Sequence, residues 1–213
     1  MPCVILSSPD QKALLRLEPD PYGQWWTLHH AAEPDRPAWY ASFGARTPVE
    51  IIAGFTDALT DPAATAAAAD PYEPLERADW TPTSSPDGLL SPDGKALVQR
   101  MDSEGAGHWF ATATLTGPRL VWQARFGEHT PPHLIAAFTA ALADPNPLPR
   151  TGSPLSIPTR NPNLVTRTHR EMPAVQVASA LEERVHALAA RRPAPPASPS
   201  ALRQPPPRNG RSR

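Results

Sequence analysis

The sequence predicts an α+β protein. Its core is two tandem ββββα (or βββα) repeats packed with pseudo-twofold symmetry, each an antiparallel sheet with one helix. A C-terminal helix and a disordered tail follow. Three observations predict this. The phrase "SPDQKAL" at 8–14 returns as "SPDGKAL" at 91–97. A shift of 83 residues aligns 8–62 with 91–145 without a gap, giving 22 identities in 55 positions. Within each copy the apolar spacing changes from period two to helical period.

Each repeat opens on turn chemistry. In Ser-Pro-Asp-Gly, proline presets φ, aspartate suits the next place and glycine tolerates a positive φ after it. The flanks "VILS" and "KALLRLE", or "LL" and "KALVQRM", make this a β-hairpin. Gln11 replaces the glycine in the first copy, so that turn is expected to be the more strained. Two strands follow, "WWTLHH" and "AWYASF" in copy one, "HWFATAT" and "LVWQARF" in copy two.

A helix closes each repeat. Thr47 reads as N-cap, Pro48 as N1 and Glu50 as N3 of a capping box. Ile51, Ile52, Phe55, Ala58 and Leu59 recur at helical spacing, as do Leu134, Ile135, Phe138, Ala141 and Leu142. His133 stands where Glu50 does, so the second box is lost. Asp-Pro ends both helices, since proline cannot continue one. A single copy buries too little surface to be stable alone, and two copies can share a core.

The expected organisation is a first repeat at 1–66, a linker and second repeat at 67–149, an extension with an amphipathic helix at 150–192, and a disordered Pro/Arg-rich tail at 193–213. The stretch 62–79, "PAATAAAADPYEPLERAD", reads as an Ala/Pro linker. In the extension, Val177, Leu181, Val185 and Leu188 form a stripe. Thirty prolines in 213 residues are too many for one compact core. The formal net charge of −1 hides a split. Residues 1–149 hold 18 acidic and 9 basic groups, whereas 150–213 hold 3 acidic groups and 11 arginines. An acidic body thus carries a basic tail. Cys3 is the single cysteine, which excludes an intrachain disulfide and a cysteine zinc site. The start does not read as a signal peptide and no apolar run reaches membrane length, so a soluble cytoplasmic protein is expected.

SPD before a strand, tryptophans in the next strands, and a Thr-Pro-led helix ending in Ala-Leu resemble the actinobacterial SPDY-domain family. The resemblance covers about 8–145 and implies two copies per chain. That family has no known function, so it implies no catalytic residue. This chain departs from its pattern by "SPDQ" in copy one and by lacking a tyrosine after the aspartate in both copies. At the level of topology alone, two ββββα units also resemble Whirly and PUR-type single-strand nucleic-acid binders.

Alternation along the strands separates two faces. Trp26, Leu28, Trp39, Ala41 and Phe43, with Trp109, Ala111, Trp122, Ala124 and Phe126, form the set read as core under the helices. The opposite set differs between copies and mixes aromatic with polar groups. Trp25, His29, Tyr40, Phe110 and Arg125 are its candidate partner-binding residues. No catalytic, cofactor or metal site is expected. His29 and His30 point to opposite faces of a strand, His129 and His133 lack a third ligand, and no phosphate-binding or nucleophile motif occurs. The expected function is therefore a non-enzymatic interaction module, monomeric with an internal pseudo-dimer and binding an unknown macromolecule. A protein is the first choice of partner. The alternative is single-strand nucleic acid, held by the aromatic face and the arginine tail.

Overall fold

The computed structural model describes residues 3–8, 10–18, 23–61, 69–84, 87–103, 106–115, 119–146, 171 and 173–190. The first repeat comprises β1 (Val4–Ser7), β2 (Ala13–Leu17), β3 (Gln24–His30), β4 (Trp39–Gly44) and α1 (Val49–Thr60). A short helix, α2 (Glu73–Glu76), and β5 (Thr81–Pro82) precede the second repeat. That repeat comprises β6 (Gly88–Leu90), β7 (Ala96–Ser103), β8 (Ala106–Thr114), β9 (Leu120–Phe126) and α3 (Pro132–Ala143). A separate unit from Arg167 onward contains α4 (Ala174–Ala190). The expected ββββα order is present in both repeats. The tail at 193–213 lies outside the described residues, as does most of the extension before α4.

The SPD phrase builds the same turn twice. In the first copy Gln11 N–H donates to Ser8 O at 2.9 Å, and Ala13 N–H donates to Ser8 Oγ at 2.9 Å. Ser8 Oγ donates in turn to Asp10 Oδ1, which also accepts from Lys12 N–H. Ser91, Asp93, Lys95 and Ala96 repeat this set bond for bond. The geometry needs a left-handed residue after the aspartate. Gly94 takes φ +67° there, and Gln11 is forced to φ +58°, as the sequence predicts.

The two sheets join into one. The strand order is β1-β2-β3-β4-β9-β8-β7-β6-β5, with every neighbouring pair antiparallel. At the junction Ala41 faces Phe126, Ser42 faces Arg125 and Phe43 faces Ala124. Under the 83-residue shift Ala41 corresponds to Ala124 and Phe43 to Phe126. The pairing therefore maps onto itself, and the pseudo-twofold axis passes between Ser42 and its equivalent Arg125.

The core sits on one face of this sheet, beneath α1 and α3. Phe43, Phe55, Phe126 and Phe138 are all fully buried. Phe43 touches Phe55 of its own repeat at 5.6 Å between ring centroids and Phe138 of the other at 5.8 Å. Phe126 does the same with Phe138 at 5.0 Å and Phe55 at 5.6 Å. Each ring thus draws half of these contacts from the other repeat, so neither repeat has a complete core of its own. The helices cross closely at Gly54, where a Cβ would lie 2.9 Å from Ala141 Cβ and 3.2 Å from Ala137 O.

Two expectations are corrected. The capping box at Thr47 does not form. Helix α1 begins at Val49 with Pro48 as its cap residue and no side-chain cap bond. The threonines are buried at the repeat boundary instead, and Thr130, the equivalent of Thr47, donates from Oγ1 to Tyr40 O of the other repeat at 2.9 Å. The stretch 62–79 is also more than a linker. Its second half carries α2, with Leu75 fully buried, Trp80 just beyond it buried, and Tyr72 packed on Trp109 at 4.8 Å. An alanine- and proline-rich composition masked these three anchors. Among the described residues no helix is long and apolar enough to cross a membrane.

Candidate interaction surface

The face of the sheet opposite the helices carries Thr27, His29, Tyr40 and Ser42, whose equivalents Phe110, Thr112, Gln123 and Arg125 all differ. The register puts Arg16, Thr27, Ser42, Arg125, Phe110 and Gln99 in one row across β2, β3, β4, β9, β8 and β7. Arg125 is exposed and stands at the pseudo-twofold axis. Two arginines could not share that position without repulsion between like charges in direct contact, and a buried serine faces it instead. Arg125 Nε donates to Gln123 Oε1 at 2.7 Å, which holds the guanidinium along its own strand.

The register places four of the candidate residues, His29, Tyr40, Phe110 and Arg125, on this face. Phe110 is the direct cross-strand neighbour of Arg125 and is half-buried. Tyr40 lies two residues before Ser42, with 38% of its surface exposed. His29 faces it across β3, with ring centroids 6.4 Å apart. Trp25 is the bulged residue near the start of β3, between Gln24 and Trp26; it has no register partner and is exposed to the same degree as Tyr40. The surface is thus a band of aromatic and polar groups across the four central strands, with one arginine at its middle.

Glycine makes room for this band. Gly127 accommodates the Tyr40 ring, which would lie 2.8 Å from a Cβ there. Gly127 N–H and Thr130 Oγ1 both donate to Tyr40 O. Gln123 takes the place equivalent to Tyr40 and packs beside Gly44. The sequence marked both glycines as matched positions. That each faces the variable residue of the other repeat follows only from the β4–β9 pairing.

At one end of the band lies an open cleft of about 410 Å³. Lys12, Leu14, His29, His30, Trp39 and Tyr40 contribute to it. His29 and His30 point to opposite faces, as expected. His30 stacks on Trp39 at 5.2 Å, on the helix side. Lys12 pairs with Glu33, which raises the lysine pKa and lowers that of the carboxylate. The Ser8 hydroxyl, chiefly, lowers the Asp10 pKa. Burial lowers the His133 pKa, with a smaller push from Arg36. Among the described residues no group of three or more His, Cys, Asp or Glu side chains is placed to hold a metal ion.

Fold and surface together define a tandem-repeat α+β module with one face of its sheet turned away from its helices. A family model described as SPDY, a domain of unknown function (DUF317), matches it twice, over residues 7–65 and 90–148. The chain belongs to the SPDY domain family. No curated protein and no solved structure matches it.

Proposed function

We propose that this protein is a non-enzymatic interaction module that binds a protein partner through the open face of its sheet. The observation that carries the reading is the contrast between the faces. The helix face keeps Trp26, Trp39, Ala41 and Phe43 unchanged as Trp109, Trp122, Ala124 and Phe126, whereas Thr27, His29, Tyr40 and Ser42 of the open face become Phe110, Thr112, Gln123 and Arg125. Tyr40 remains 38% exposed there, and the bulged Trp25 nearby is exposed to the same degree. Exposed aromatics beside a fixed arginine are the residue types that anchor protein interfaces. The acidic body favours a protein over a phosphate backbone, which needs a positive groove. A cytoplasmic setting fits the lone, unpaired Cys3.

One observation favours a second reading, single-strand nucleic acid. Trp25, Tyr40 and Phe110 offer ring faces beside Arg125, and 11 arginines lie beyond residue 149. The experiment compares full-length protein with a Tyr40→Ser/Phe110→Ser double variant. Affinity capture with each bait is followed by binding of a labelled oligonucleotide at about 50 and 200 mM salt. Loss of a specific protein partner in the variant, with salt-insensitive capture, supports the first reading. Tight, steeply salt-dependent oligonucleotide binding, lost in the variant, supports the second. Unchanged binding of every partner in the variant refutes both.

A further inference from the structure

The two repeats differ at their outer margins, and the difference exposes a socket. In the second repeat β5 pairs with the outer edge of β6, and α2 lies against α3 on the helix face. Leu75 and Trp80 join the buried cluster that contains Leu89 and Val98. Thr139 Oγ1 donates to Pro71 O at 2.8 Å. Tyr72 packs on Trp109, donates from its hydroxyl to Asp87 O at 2.5 Å and accepts from Arg100 N–H at 3.2 Å. The segment 70–82 therefore both extends the sheet and roofs its last apolar pocket.

Leu89, Val98 and Thr139 have counterparts in the first repeat under the same 83-residue shift, and each counterpart is more exposed. Leu6, the equivalent of buried Leu89, is 57% exposed. Its neighbours Val4 and Ile5 are 48% and 58% exposed. Leu15, the equivalent of fully buried Val98, is only half-buried. Among the described residues Thr56, the equivalent of Thr139, bonds to Ile52 O and Ala53 O of its own helix. Among the described residues strand β1 ends the sheet order with one neighbour, β2. An apolar strand with an open edge is a template for added strands, which folded proteins normally block.

We propose that the β1 edge and the adjoining helix-side pocket of the first repeat form a docking site for a segment of a partner protein. That segment has the chemistry of 70–82: a Tyr-x-x-Leu helical turn, an aromatic anchor, then a short strand that pairs antiparallel with β1. The occupant is inferred from the second repeat, where the equivalent socket holds such a segment. Backbone pairing supplies affinity, and the leucine and aromatic anchors supply specificity. This site is distinct from the open sheet face and does not depend on the function assigned to it.

The test uses the full-length chain and a synthetic peptide, ADPYEPLERADWTPTS, which copies residues 69–84. Amide exchange of Val4–Ser7 is measured without and with peptide, and affinity is read by calorimetry. The expected result is fast exchange alone and saturable protection with peptide. Leu6→Glu in the protein, or aspartate in place of the leucine in the peptide, is expected to weaken binding about tenfold or more. Leu6 is exposed, so Leu6→Glu is expected to leave the thermal midpoint unchanged, which separates lost binding from lost folding. Three results overturn the proposal. One is absence of binding at millimolar peptide. Another is equal binding by Leu6→Glu protein that melts normally. The third is slow exchange of Val4–Ser7 before any peptide is added, which shows that the chain itself or a second copy covers the edge.

Discussion

The left-handed residue of the SPD turn allows one strain to be measured twice in the same molecule. Gln11 holds φ +58° and Gly94 holds φ +67° within matching hydrogen-bond sets. A Cβ built on Gly94 meets nothing within 4 Å, so Gly94→Ala adds backbone strain without a clash. A left-handed non-glycine residue costs about 1–2 kcal/mol. Removing glycine from the unfolded chain returns about 0.5–1 kcal/mol. Gly94→Ala is therefore expected to destabilise by about 0.5–1 kcal/mol, and Gln11→Gly to stabilise by a similar amount. For a body of this size that corresponds to roughly 2–4 °C per kcal/mol in thermal midpoint. Urea unfolding followed by tryptophan fluorescence reads both variants and their combination, which is expected to be near neutral. A destabilising Gln11→Gly, or a stabilising Gly94→Ala, refutes the reasoning. Either would mean that the hydrogen bonds around Asp10 and Asp93 depend on more than the backbone angle.

Other outcomes follow from the core and its margins. Trp39→Ala and Trp122→Ala each remove a buried ring and are expected to cost about 3–5 kcal/mol in chemical denaturation, while Trp25→Ala costs about 1 kcal/mol or less. Equal losses at Trp25 and Trp39 would overturn the assignment of faces. Gly54→Ala gains about 1 kcal/mol of helix propensity but presses a methyl to 2.9 Å from Ala141 Cβ. The expected net effect is a loss of about 1 kcal/mol, and a raised melting temperature would show that the helices separate at no cost. His133 has a folded pKa below its ordinary 6.5 because burial disfavours its charged form. Its contribution to stability is complete above about pH 6.5 and is lost as pH falls through the lowered value. His133→Gln is expected to flatten the fall in melting temperature over that range, and an unchanged pH profile would refute the assignment.

Some of this architecture is local and was legible in the residues themselves. The SPD turn closes on its own hydroxyl, carboxylate and amide groups, so its hairpin and the strain at Gln11 follow from a few adjacent residues. Strand alternation separated Trp39, Ala41 and Phe43 from Tyr40, because a side chain's face is decided by its parity along the strand. The 83-residue repeat implied a shared core, since one helix on four strands leaves its phenylalanines half covered. Other features depend on which edges meet, and no short-range pattern encodes that. The antiparallel β4–β9 seam sets Ser42 against Arg125, brings Gly127 under the Tyr40 ring, and carries Thr130 to a carbonyl of the other repeat instead of to its own helix. The same holds for 69–82. Its composition reads as a linker because only Tyr72, Leu75 and Trp80 are large and apolar. Three well-placed anchors are enough once β6 offers a free edge and α3 a pocket. Tertiary structure decided these features because contacts such as Thr139 to Pro71 and Thr130 to Tyr40 join residues 68 and 90 positions apart, whereas the turn, strand and helix signals act within a few residues.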